Sequence, residues 1–179
     1  MKAEPASSPQ NRVVDLIGPD LHVLFCGINP GRLSGELGQH FARSGNRFWK
    51  LLYAGGFTDR VLLPSEQSVL PSLGIGITNL VERATVAASE IDKDELRSGA
   101  RSLESKVEVL QPRCVAVLGL QAYRAAFARP HATIGEQVEQ VGTAKLWLLP
   151  NPSGLQARYQ VPEMADLFRR LHAASFPAR

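Results

Sequence analysis

Two short segments hold the residues whose types and settings invite chemistry: Asn29 within Gly27-Ile28-Asn29-Pro30-Gly31, and Leu155 after Asn151-Pro152-Ser153-Gly154. Taken alone, the first is a turn, because Pro30 fixes φ and the glycines permit close backbone approach. The same small side chains let a flat base lie against the backbone with Asn29 projecting into a pocket. Pro-Ser-Gly is likewise a routine turn signal. Leu155 is the odd residue there: an apolar side chain at a loop tip between Gly154 and Gln156 is what a minor-groove wedge requires. Isolated exposed leucines are also common and usually carry no role.

Other chemistries lack their residues. There is no GxxxxGK[ST], no GxGxxG after a strand, no GxSxG, no HExxH and no CxxC. Cys26 and Cys114 lie far apart, each in an apolar run, and read as buried thiols of a reducing compartment. Two cysteines are too few for an iron–sulfur cluster, which takes about four. The four histidines are scattered. No metal is expected.

The elements that must position these segments alternate between β-like and helical patterns. His22 to Ile28 is a continuous apolar run ending at the Asn-Pro-Gly turn, as suits a buried strand. Asn46 reads as the cap of a helix through Phe48, Trp49, Leu52 and Tyr53, with Trp49 in the core. Gly76 to Val81, Cys114 to Leu118 and Lys145 to Leu149 are further strands. Ser89 reads as the cap of a long helix whose stripe is Leu96, Ala100, Leu103, Val107 and Leu110. Pro112 stops it. A short helix follows over about Gln121 to Ala128, and a last amphipathic one carries Met164, Leu167, Phe168 and Leu171. Strands alternating with helices predict an α/β fold with a mostly parallel four-stranded central sheet and helices on both faces. Ligands of such sheets sit beyond the strands' carboxyl ends, where both unusual segments fall.

Length and composition agree. The 179 residues suit one domain at 12–179 behind a disordered tail at 1–11. That tail, MKAEPASSPQN, has neither an apolar core nor an arginine-rich pattern, so it is not read as a targeting signal. No apolar run is long enough to cross a bilayer, and a cytoplasmic, nucleoid-associated protein is expected. A net charge of +3 is compatible with a nucleic-acid partner, though many other proteins are as basic.

GINPG followed by Ser34, Phe41 and GNRFW, then TNLVERAT, and finally LPNPSGL, closely resembles the mismatch-specific uracil-DNA and thymine-DNA glycosylases. The resemblance runs over nearly the whole chain from about residue 20. It implies a three-layer uracil-glycosylase fold, no cofactor and a monomer. The implied partner is double-stranded DNA holding uracil or a mismatched or damaged pyrimidine, with downstream base-excision enzymes as candidate further partners. By resemblance, Asn29 positions the hydrolytic water, Phe41 stacks on the flipped base, and Ile28, Gly31, Ser34 and Asn79 line it. Asn151, Pro152, Ser153, Gly154, Leu155 and Gln156 contact DNA, with Leu155 filling the vacated stack and Arg158 nearby. The chain departs from the family in two places. The bacterial mismatch branch tends to carry Lys where Asn79 stands, and Ala157 replaces an expected Arg, with Arg158 one place later.

The implied chemistry breaks a sugar–base bond through an oxocarbenium-like sugar. Backbone N–H groups beside Ile28 and Gly31 are candidates to stabilise charge on O2 of the leaving base. A neutral amide cannot act as a general base, so Asn29 can only orient water, and a slow enzyme with a permissive pocket is expected. Glu90, Asp92 and Asp94 either supply a compensating carboxylate or complement a helix dipole, the latter being favoured. In the uracil-only branch a bulky aromatic occupies the place of Gly31 and excludes groups on C5. Glycine leaves that space open.

Overall fold

The structure is a computed structural model and describes residues 11–153 and 158–178. Five strands form one mixed sheet: β1 (Val23–Gly27), β2 (Ile75–Asn79), β3 (Cys114–Leu118), β4 (Gly135–Val141) and β5 (Ala144–Leu149). They lie in the order β2-β1-β3-β5-β4. The first, second, third and fifth run parallel. These are the four strands expected from the apolar runs, each within about two residues.

The sheet nevertheless has five strands rather than four. β4 pairs antiparallel with β5 across a two-residue turn at Gly142-Thr143, where Gly142 takes φ +57°. Its sequence, GEQVEQV, is largely exposed and lacks an apolar run because it covers an edge. The Gly-Thr pair between two strand-length segments was its only local signal.

A short helix, α1 (Arg32–Leu37), follows the turn after β1. Alternation along the parallel strands divides the core into two layers. Phe25, Ile77, Ala116 and Trp147 face one side, against α2 (Phe48–Ala54) and α5 (Val161–Ser175). Leu24, Cys26, Val115, Val117 and Leu148 face the other, against α3 (Lys93–Leu110) and α4 (Leu120–Ala126). Trp49 is buried as expected. The N-cap position of α2, which begins at Phe48, is Arg47 rather than the expected Asn46, although Asn46 Oδ1 accepts the Phe48 N–H at 3.0 Å from one residue earlier.

The long helix starts later than the Ser89 cap predicts. Residues Ala88–Glu90 form a single 3₁₀ turn, and Asp92 is the cap of α3. Asp92 Oδ1 accepts from Glu95 N at 2.8 Å while Glu95 Oε2 accepts from Asp92 N at 3.2 Å. A reciprocal box satisfies two end amides where a lone serine satisfies one, so it wins. Gly99 lets α3 approach the sheet: a Cβ there would sit on the Leu80 carbonyl.

Before β1, residues 11–16 cross the outer edge of β2. Leu16 and Ile77 exchange N–H···O bonds at 2.9 Å. Lys106 Nζ, from α3, lies 2.8 Å from Asp15 Oδ2 and donates to Thr78 Oγ1 at 2.9 Å. Thr78 Oγ1 in turn donates to Asp15 Oδ1 at 2.9 Å. This closed triad pins the crossing segment beside the carboxyl end of β2. Among the described residues no helix is long and apolar enough to cross a membrane.

Candidate active site

All four parallel strands end at one cavity of about 560 Å³. Gly27–Gly31 leave β1, Asn79 closes β2, Leu118–Ala122 follow β3, and Pro150, Asn151 and Ser153 follow β5. The chain after β1 is zipped to the chain after β2. Leu80 N donates to Gly27 O and Val81 N to Ile28 O, both at 2.9 Å, and Thr85 N donates to Pro30 O at 3.2 Å. The GINPG turn is therefore held open against a second backbone.

That pairing fixes Asn29. Its Nδ2 donates to Thr85 Oγ1 at 2.8 Å and to the carbonyls of Pro30 and Arg83 at 3.1 Å each. Thr85 Oγ1 spends its own proton on Ala87 O at 2.9 Å, so it receives from Asn29. A flipped amide would set Oδ1 against two carbonyl oxygens, so the orientation is determined. Among the described residues nothing donates to Asn29 Oδ1. An acceptor is left at the cavity wall, where water or a hydroxyl can bind it.

The other residues expected by resemblance gather here too. Ile28, Gly31, Ser34, Phe41 and Asn79 all line the cavity. Phe41 rests one face on Phe48, with ring centroids 4.0 Å apart and planes 27° apart. Its φ is +50°, a left-handed conformation unusual for an aromatic residue. The buried Ser34 hydroxyl holds the next residue by accepting Ala42 N–H at 3.0 Å. Asn79 is 8% exposed, and no described residue hydrogen-bonds its side-chain amide. Gly27 makes room for it, because a Cβ there would stand 2.6 Å from Asn79 Oδ1. At Gly31 a Cβ would meet nothing within 4 Å.

Of the segment after β5, Asn151 and Ser153 line the cavity, and Asn151 Oδ1 accepts Ser153 N–H at 3.0 Å. Pro152 is buried and does not line it. Gly154, Leu155 and Gln156 lie outside the described residues, as does Ala157. Arg158 is exposed at the cavity mouth, its guanidinium 5.9 Å from the Tyr159 ring centroid. Arg43 is the other exposed cation lining the mouth, and among the described residues no carboxylate pairs with either.

The compensating carboxylate does not appear among the described residues, where no Asp or Glu lines the cavity. Glu90 Oε2 accepts Ala87 N–H at 2.6 Å, Asp92 caps α3, and Asp94 is exposed near Arg97 at 3.8 Å. Glu95 receives both arms of Arg83, at 2.7 and 3.0 Å, tying the chain after β2 to α3. These groups shape the backbone that carries Thr85.

The sequence does not single out Thr85 and His40, and it offers Arg47 only as one of the basic side chains near the motifs, with Arg43 and Arg158, for phosphate contact. Thr85 sits at the end of the quoted TNLVERAT stretch, and only the fold shows its contact with Asn29. His40, 2% exposed, lines the cavity beside Phe41. Its Nε2 donates to Val14 O at 2.9 Å, and burial pushes its pKa below the ordinary 6.5. It is neutral near pH 7. Arg47 is bonded to backbone carbonyls on both sides of residues 154–157.

The cavity thus offers uncharged amides, an aromatic face and a neutral imidazole, with cations only at its mouth. That suits a planar, polar, uncharged group on a polyanion. Comparison with known protein families matches residues 14–172 to the Uracil DNA glycosylase superfamily. The match spans most of the 179 residues and includes every element that builds the cavity, so this chain belongs to the uracil DNA glycosylase superfamily.

Proposed function

We propose that this protein is a monofunctional, mismatch-type DNA glycosylase. It extrudes uracil, and other pyrimidine lesions such as thymine or ethenocytosine paired with guanine, and hydrolyses the N-glycosidic bond to leave an abasic site. One observation carries the reading beyond the superfamily. A fixed neutral amide at Asn29 stands beside an unfilled position at Gly31, in a cavity with no carboxylate among its described lining residues.

In this reading the flipped base lies against Phe41 with its edges toward Ile28, Ser34 and Asn79. The C1′–N1 bond breaks first, leaving an oxocarbenium-like sugar and negative charge on the pyrimidine. Asn29 Oδ1 accepts a hydrogen bond from water and aims its oxygen at C1′. The C–O bond then forms, and the water's second proton goes to solvent or to the departing base. Uracil is a tolerable leaving group as an anion, and N–H groups beside Ile28 and Gly31 would stabilise charge on its O2, so no strong acid is required. Without a general base, the enzyme forgoes a factor of ~10²–10⁴ in rate.

Such slow chemistry favours bases that are cheap to extrude. Unpairing costs a few kcal/mol and roughly less for a mismatch. The test is free-base release from duplexes holding uracil, thymine, ethenocytosine or hypoxanthine, followed by alkaline cleavage at abasic sites. Uracil release faster opposite guanine than opposite adenine is expected. Equal single-turnover rates would refute the mismatch preference. Duplex binding with no base released would make the chain a non-catalytic binder.

A further inference from the structure

Arg47 precedes α2 and bonds three backbone carbonyls. Nη1 donates to Tyr159 O at 3.0 Å, Nη2 to Ser153 O at 3.1 Å and Nε to Pro152 O at 3.4 Å. Its own main-chain N–H donates to Pro152 O at 2.9 Å. These acceptors lie on two stretches of chain. Pro152 and Ser153 leave β5, whereas Tyr159 leads into α5. Ser153, Arg158 and Tyr159 line the cavity from those stretches.

Other uses of this side chain fit poorly. Arg47 stands at the N-cap of α2 but its side chain makes no cap bond, and the first helix amide is met by Asn46. Three of its N–H groups point at carbonyls 3.0, 3.1 and 3.4 Å away, so these bonds turn the guanidinium toward the protein's own backbone. A guanidinium presents five N–H donors in a rigid fork, whereas an ammonium is a point donor on a flexible stem. Only the fork can hold carbonyls on two separate stretches at a set spacing. We infer that Arg47 is a positioning residue that clamps the two stretches flanking residues 154–157 and so sets the wall presenting Ser153 and Arg158 at the cavity mouth. Its catalytic consequence rests on the glycosylase reading. Its structural consequence does not.

The experiment pairs amide hydrogen exchange with single-turnover excision for wild type, Arg47→Lys and Arg47→Ala. Both variants are expected to exchange faster at the Asn151, Ser153, Arg158 and Tyr159 amides, with the strands and α3 unchanged. Misplacing positioning groups by about 1 Å can cost ~10² in rate, and a loss of about tenfold or more is expected on a uracil–guanine duplex. Lysine should not rescue either readout. Unchanged exchange at those amides overturns the clamp, and so does faster exchange spread evenly through the sheet, which would mark a general packing role. Faster local exchange with undiminished excision overturns the positioning role in catalysis. If wild type releases no base from any duplex, the glycosylase reading fails, and the exchange data alone decide the clamp.

Discussion

In the proposed mechanism Asn29 acts through its amide oxygen, which has no donor among the described residues because Thr85 and two carbonyls hold the amide by its nitrogen. Removing the amide in Asn29→Ala should lower single-turnover excision by ~10²–10³ while duplex affinity stays near wild type, as for deletion of one positioned polar group. Near-normal excision would move the chemistry elsewhere. Thr85→Val keeps the shape but withdraws the acceptor 2.8 Å from Nδ2. The amide is then held by two carbonyls alone, and a smaller loss of up to about tenfold is expected in the same assay, since one neutral hydrogen bond contributes roughly 0.5–1.5 kcal/mol. In the same proposal Gly31 sets selectivity. A Cβ there meets nothing within 4 Å and the backbone φ is -70°, so Gly31→Tyr should fold. It should depress excision of thymine relative to uracil by ~10–200-fold, the range for crowding one small apolar group. An unchanged thymine-to-uracil ratio would show that C5 does not point toward residue 31.

At the scale of elements, close approach and charge matter most. α3 rests on the chain after β2 only because residue 99 lacks a Cβ. Alanine is the better helix former by roughly 1 kcal/mol. Gly99→Ala should nevertheless destabilise the protein by ~1–3 kcal/mol, because the added carbon meets backbone rather than a movable side chain. Thermal melting checks this, and a raised Tm would contradict the contact. The turn segments at the cavity mouth carry the charge. Arg32, Arg83 and Arg12 already pair with Glu36, Glu95 and Glu82, whereas Arg43 and Arg158 do not pair with a described carboxylate. Each of Arg43→Ala and Arg158→Ala should lower the slope of log affinity against log salt by about 1. A slope identical to wild type would remove that arginine from the phosphate contacts.

Over the whole molecule, acid should loosen the fold through histidine before it reaches the carboxylates. Burial lowers the pKa of His40 from 6.5, so the unfolded chain takes up the proton more readily than the folded one. The stability this represents is complete above about 6.5. It is lost as pH falls from there through the folded value. His172 is lowered by burial in the same direction and adds to the trend. Glu95, lowered by Arg83, acts only from about its ordinary 4.5 downward. Tm should therefore begin to decline below about pH 6.5. It should decline less steeply in His40→Gln, whose amide can still donate to Val14 O. Superimposable Tm profiles for wild type and variant would exclude His40 as a source.

The local pattern of the chain determined four buried strands, four of the five described α-helices but not Arg32–Leu37, and the strand ends at which the cavity lies. Apolar runs and three-four spacing are readable without neighbours. The edge strand β4 escaped because an exposed element carries no apolar run, and the start of α3 shifted because Ser89 and Asp92 are both good caps. Only the tertiary structure decided what each polar residue does. Asn29, Thr85 and Arg83 meet because β1 and β2 lie side by side, although 54 and 56 residues separate Asn29 from the other two. Arg47 turns inward to carbonyls 105 to 112 residues away rather than outward to solvent. Glu90 and Asp92, equally plausible as catalytic groups by type, are consumed by backbone amides. Residue type states which bonds a group can make. The fold decides which partners come within reach, and so which groups keep a free atom for a ligand.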